Sequence, residues 1–393
     1  MDRISPGEPQ QSNHGRSFVT LDGLRGVAAI VVAARHVPFL WSQTGAPAQW
    51  FFESYLAVDF FFVLSGFVLA HAYGDALRNG MPARQFMAFR LIRLYPLYFL
   101  SLLLALDVAF SQFLHATIGA TQFSMNTLFA AAFLPSPFSG DKLFPMNEPA
   151  WSLFFELLAN LAFCLFAKRL GSRALGGAFA AAALLMALAV FQGWFGFGSL
   201  PGALNAGVTW DTFGAGASRV AFSFFAGVLV YRLWRRFAFP GMNVPSIVVI
   251  APLCIALIAY DPARYRVLFD LVATMIVFPA IVFFGAHSRP GPRLGRAFSW
   301  IGGASYGIYV LQAPIFLGPV YILGKIVAEP LTAYRLEALL PLWGGASLTI
   351  LVGVAVVADK YFDRAARRKL ADLTSVSSHR PAAATNVASL QRS

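Results

Sequence analysis

The sequence predicts an all-α, polytopic integral membrane protein with about ten transmembrane helices and both termini in the cytoplasm. Of its 393 residues, 58% are hydrophobic and only 12% charged, too little polar surface to cover soluble domains. The apolar runs recur in blocks of about twenty, the length that roughly 30 Å of hydrocarbon requires of a helix. The basic residues also sort to one side of those runs, as they do when short cytoplasmic loops collect positive charge. The net charge of +12 therefore has a membrane explanation. It does not point to nucleic acid, because no basic segment is interleaved with aromatics in a soluble module.

Apolar runs and their Gly, Pro and charge interruptions predict helices at about 20–41, 57–74, 91–114, 150–168, 174–194, 218–236, 244–260, 267–286, 298–323 and 336–360. The polar first eighteen residues carry no cleavable signal, so the first helix acts as the insertion signal. With the N-terminus inside, only Arg35, Lys142, Arg219, Arg264, Arg266, Lys325 and Arg335 of the 30 Lys and Arg residues fall outside or near outer helix ends. The loop from Ser42 to Tyr55 carries none. Three regions result: a polar tail at 1–19, a transmembrane domain at 20–360, and a basic, then disordered, cytoplasmic tail at 361–393. The long aromatic segment at about 115–149 lies outside and is expected to form a re-entrant or lid loop. Cys164 and Cys254 sit inside apolar runs and exclude a disulfide scaffold. No HxxxH, CxxC or P-loop pattern occurs, so no metal site is expected.

Ionisable groups at membrane depth mark cavities, pathways or catalytic sites. In the first helix, Arg25 and His36 lie eleven residues apart, on one face and about 16 Å apart along the axis, with Asp22 beside them. An imidazole there is suited to taking a proton, and a guanidinium to binding phosphate or carboxylate. An anchor and a helix-end residue give the same spacing. The second helix carries Asp59 and Gly66 on one face with Ser65, open to close helix packing or substrate approach; Asp59 reads equally as an exposed interfacial charge. Arg90 and Arg93 open the third helix on one face, as a phosphate clamp or as ordinary inside anchors. Ser152, Glu156 and Asn160 form a polar stripe on the fourth helix, and Ser305, Tyr309 and Gln312 another on the ninth. His71, His115 and His287 read as interfacial.

These residues together resemble the membrane-bound acyltransferase-3 family, which O-acylates surface sugars and other small hydroxyl acceptors. The motifs are LDGLRGVAAIVVAARH with Arg25 and His36 at the family's spacing, VDFFFVLSGFVL, the Arg90–Arg93 pair before a proline, NEPAWSLFFE, and SYGIYVLQAP. They run in family order from residue 20 to about 315. This chain departs at Gln312, where the family often has histidine, and after Glu156, where Leu-Leu-Ala-Asn replaces two aromatics.

The resemblance implies acyl-CoA, most often acetyl-CoA, as a co-substrate from the cytoplasm, with no bound cofactor, and a cell-surface or lipid-linked carbohydrate hydroxyl as acceptor. The expected catalytic residues are His36 as general base, with Glu156 and Asp22 setting the protonation or position of their neighbours. Arg25, Arg90, Arg93, Ser65 and Gly66 are expected at the donor, and Trp151, Ser152, Asn160, Tyr309 and Gln312 at the acceptor. Direct transfer and a transient acyl-His36 both stay open. The expected location is a bacterial inner membrane, with lipid as the surrounding partner and no nucleic acid. The competing class is a transporter or flippase, against which stand the absence of an inverted repeat and of matching broken helices.

Overall fold

A computed structural model describes residues 18–37, 51–169, 171–198, 203–237, 239, 241–258, 265–333 and 339–374. The N-terminal tail to Ser17, the loop from Ser42 to Trp50, Arg264, Arg335 and the tail beyond Thr374 lie outside the described residues. The helices are α1 (Val19–Arg35), α2 (Ala57–Arg78, entered through a 3-10 turn at Phe52–Leu56), α3 (Ala83–Leu114), α4 (Ala120–Ala131), α5 (Ala150–Phe166) and α6 (Ser172–Gln192). Then follow α7 (Phe213–Arg236), α8 (Ile247–Ile258), α9 (Arg266–Val272 and Phe278–Gly285 around a π turn), α10 (Pro292–Leu317), α11 (Pro319–Ala333) and α12. The last comprises Leu340–Val357, a π turn at Ala358–Asp363, and Arg364–Leu373. Among the described residues no strand forms, only an isolated antiparallel bridge between Lys142 and Thr209.

Every expected segment contains a helix, and 6 helices are long and apolar enough to cross a membrane. Two features differ from the expected boundaries. The run expected at 298–323 divides at Gly318, between α10 and α11, four residues after Pro314 removes a backbone donor. The boundary expected at 360 falls inside α12, which runs to Leu373 on a strongly amphipathic, basic turn. The 115–149 segment contains α4 and then an ordered cap. Leu143 N–H donates to the Val208 carbonyl (2.9 Å) and Trp210 N–H to the Asp141 carbonyl (2.8 Å). The Phe133 ring stacks on Tyr98 at 4.0 Å, seating the cap on α3.

Lipid tails are as apolar as leucine, so these helices are held by close packing and polar contacts rather than by exclusion from water. The most extensive pairings are α1 with α10 and α2 with α7. In the second pair Gly66 and Gly227 interlock: a Cβ on Gly66 would run into the Phe224 carbonyl oxygen, and one on Gly227 into that of Val63. In the first pair a Cβ on Gly302 would lie 2.6 Å from the Asp22 carbonyl oxygen, bringing α10 against the polar end of α1. The successive contacts, Asp22 with Gly302 and Arg25 with Ser305, show that α1 and α10 run parallel. Asp59 with Arg219, then Asp75 with Arg235, show the same of α2 and α7. α3 and α5 run antiparallel, from Phe86 beside Phe163 to Ser101 beside Asn147. Meanwhile α6 turns Leu184, Leu185, Leu188 and Phe191 outward, as a lipid-facing helix would.

Candidate active site

Three arginines meet where α1, α3, α5, α10 and α12 come together, and each has its own carboxylate. Arg25 pairs with Asp22 at 3.3 Å. Its Nε donates to Ser305 Oγ (2.8 Å) and its Nη2 to the Gly302 carbonyl (2.9 Å), so α10 fixes the plane of the guanidinium. Arg90 pairs with Glu156 at 2.8 Å, and Ser65 Oγ donates to the same carboxylate oxygen (2.6 Å). Arg93 lies 3.6 Å from Asp363 and over the Tyr306 ring at 5.4 Å. Tyr306 is tied by its hydroxyl to the Leu94 carbonyl. Asp22 and Arg25 keep 45% and 32% of their side-chain surface accessible, so both are part-buried and within reach of a ligand. Arg93 and Glu156 act electrostatically on Arg25, so the pairs form one cluster.

His36 occupies the other end of α1, as its C-cap. Its Nδ1 lies 2.8 Å from the Val32 carbonyl oxygen. An oxygen there accepts a hydrogen bond, so Nδ1 carries the proton and Nε2 keeps its lone pair. The ring is exposed, and Arg35 and Glu148 are the charges that act on it. Glu148 is held by Lys142 of the cap at 2.7 Å. Nearby sequence builds a second polar group: Ser152 Oγ and the Tyr309 hydroxyl are 2.8 Å apart. Asn147 Nδ2 donates to Ser101 Oγ (2.7 Å) and the Val310 carbonyl (3.1 Å), locking the entry of α5 to α3 and α10.

The expected site residues therefore divide. Asp22, Arg25, Ser65, Arg90, Arg93 and Glu156 gather in the guanidinium cluster, while His36 stands at the far end with Glu148. Glu156 faces Arg90 and Ser65, not His36. Gly66 is engaged in helix packing, where a Cβ would meet the Phe224 backbone carbonyl. Trp151 is buried with Arg219 over its ring at 5.7 Å. Gln312 is buried and its amide donates to the Tyr309 carbonyl (3.1 Å). Asn160 is fully buried, and neither amide atom has a hydrogen-bond partner among the described residues.

Several residues outside the expected site carry structure here. Arg219, counted among the outer charges, is 1% exposed and pairs at 2.5 Å with Asp59, which is fully buried rather than interfacial. Ser223 donates to that carboxylate, and Arg219 also donates to the Ala206 and Tyr55 carbonyls. His71 and His287 are buried as well: His71 packs edge-on against Phe18, Tyr231 and Trp234, and His287 binds the Phe283 carbonyl. Glu148 and Asp363 complete the set. The signals available were a charge interrupting an apolar run for Arg219, and an i, i+4 acid–base pattern for Asp363 with Arg367.

A multi-pass helical bundle thus carries a part-buried arginine cluster and an imidazole at opposite ends of one helix. The match to the family described as "Acyltransferase domain", over residues 18–358, makes the assignment. The chain belongs to the acyltransferase-3 family and is an O-acyltransferase. It is 39% identical over 166 residues to "Protein 2 in picA locus" of Rhizobium radiobacter, covering 39% of this chain and 83% of that protein. It is 25% identical over 346 residues to the peptidoglycan O-acetyltransferase OatA of Listeria monocytogenes, covering 77% of this chain but only 50% of that protein. No solved structure matches.

Proposed function

We propose that this protein moves an acetyl group from acetyl-CoA, supplied from the cytoplasm, to a hydroxyl of a cell-surface or lipid-linked carbohydrate in a bacterial inner membrane. The observation that carries this reading is the division of α1 between a guanidinium cluster at Arg25 and, about 16 Å away, an imidazole at His36 whose Nε2 has no hydrogen-bond partner among the described residues. Planar guanidiniums suit phosphate, and an acyl donor gripped by its phosphates must present its thioester on a long arm, which acyl-CoA has.

In this scheme His36 Nε2 takes the proton from the acceptor hydroxyl as its oxygen attacks the thioester carbonyl. Collapse of the tetrahedral intermediate breaks the C–S bond, and the departing thiolate takes that proton from the His36 imidazolium, so the products are the ester and free thiol and the base is regenerated. Asp22 and Glu156 keep Arg25 and Arg90 in place for the donor. The test is acetyl-CoA-dependent thiol release in membranes with and without the protein, paired with mass spectrometry of surface glycans. A transporter would release no thiol and change no acetyl content.

The reading includes ten crossings with both termini inside. The parallel course of α1 with α10, and of α2 with α7, supports it, since partners in each pair are both odd or both even in the expected order of spans. A reporter fused at Ser139–Asp141 should be active outside the cytoplasm, and one fused at Arg169 silent there. The opposite pattern would invert the topology.

Arg90 and Arg93 fit the positive-inside rule whether or not they touch a donor, and lysine separates the two roles. Lys at both positions keeps the charge but loses the fork that grips phosphate from two directions. The double variant should insert normally and need about tenfold more acetyl-CoA for half-maximal rate, with acceptor dependence unchanged. An unaltered donor saturation curve would return both to anchors.

A further inference from the structure

The matched family domain ends at residue 358, but the polar cluster does not. Beyond it α12 passes through the π turn Ala358–Asp363, and π turns within α-helices are frequent at functional sites. Asp359, Asp363 and Arg367 follow at intervals of four and share a face. Asp363 is fully buried, with its Oδ2 3.6 Å from Arg93 Nη1 and 2.5 Å from Arg367 Nη2. Asp359 holds Arg364 at 2.9 Å and Arg367 at 3.4 Å. Arg367 keeps only 13% of its side-chain surface, unlike Arg368 and Lys369 on the same helix, which are exposed.

Arg93, Arg364 and Arg367 thus share two carboxylates, Asp359 and Asp363. Like charges brought together at low exposure repel, and two carboxylates leave one of the three positive charges unbalanced. Arg93 acts electrostatically on both Arg367 and Arg25, so Arg25, Arg93 and Arg367 belong to one field. Arg93 Nη1 and Arg90 Nε are buried donors with no hydrogen-bond acceptor among the described residues. An anion with several oxygens is the ligand that such a set fits, and Arg is the side chain that binds phosphate in two directions.

We propose that the helical segment 359–373, outside the family domain, forms part of the donor site. Arg367 and Arg93 together seat a phosphate group of the acyl donor, and Asp363 is the positioning residue that holds both guanidiniums side by side. The proposal rests on the acyl-CoA reading above.

Comparing acetyl-CoA with acetyl-pantetheine, which carries the same thioester and no phosphate, tests it on the full chain in membranes. Arg367→Gln should lower kcat/KM for acetyl-CoA by about tenfold or more and leave acetyl-pantetheine unchanged, so that the ratio between donors falls. Arg368→Gln removes the same charge from the exposed side of the helix and should keep the wild-type ratio. Equal losses with both donors, or no loss with either, would overturn the proposal and make Arg367 structural or superficial. If Arg367→Gln does not accumulate, Arg367→Lys keeps the charge beside Asp363 and should lower the ratio by a smaller factor; a wild-type ratio there overturns the proposal equally. Wild-type membranes that use neither donor would reject the acyl-CoA reading itself, a different result from an unchanged ratio between working donors.

Discussion

Replacing His36 with Ala is expected to lower acyl transfer by about 10²–10⁴-fold, the contribution of a positioned general base. Insertion and abundance should stay near wild type. The reason lies in how little the ring supports: it caps the end of α1, is exposed, and contacts the Val32 carbonyl of its own helix. The measurement is thiol release from acetyl-CoA in membranes matched for protein by immunoblot, with the acetyl content of surface glycans followed in parallel. Retention of most activity at normal abundance would remove His36 from the chemistry and leave Glu148, beside it, as the base to test.

The second large effect is on stability. Asp59→Ala leaves the Arg219 guanidinium buried with backbone carbonyls as acceptors and only the more distant Asp270 as counter-charge, and breaking a buried pair from one side costs about 3–5 kcal/mol. The variant should melt well below wild type in detergent and accumulate poorly. Replacing the pair together, Asp59→Leu with Arg219→Met, removes both charges at similar volume and should recover most of that loss. A single variant as stable as wild type would show that the carboxylate is not what holds Arg219. This role is distinct from the reaction: a defect there should follow protein abundance, whereas the His36 defect should not.

The helices were legible because a run of about twenty apolar residues ending in Gly, Pro or charge has one economical reading in a bilayer. Which helix meets which was not. The glycines at 23, 26 and 302 announce close packing without naming a partner, and only the fold shows that α1 closes on α10. The cluster was half visible: Arg25, Arg90, Arg93 and Glu156 could be picked out singly, but the pairing of Glu156 with Arg90 and Ser65 spans 66 and 91 residues of sequence. Asp59 and Arg219 misled for a plain reason. A charge interrupting an apolar run has the same composition whether it sits at the interface or is neutralised deep in the bundle. The end of α12 was read as a tail because hydropathy falls there, although its acid–base spacing at Asp359, Asp363 and Arg367 was already in the sequence.

The union of α1 with α10 also has a timetable. The Arg25 guanidinium waits for the Gly302 carbonyl, 277 residues further along the chain. At about 5–20 residues per second, synthesis takes roughly 15–55 s to deliver it. Through that interval the glycine face of the first helix lacks its α10 partner, and Arg25 lacks the two hydrogen bonds that Gly302 and Ser305 accept. A ribosome that stops before α10 would leave a chain whose opening segment never finds its mate, and membrane quality control would have an exposed guanidinium by which to recognise it. Completion of the protein is registered at its first helix.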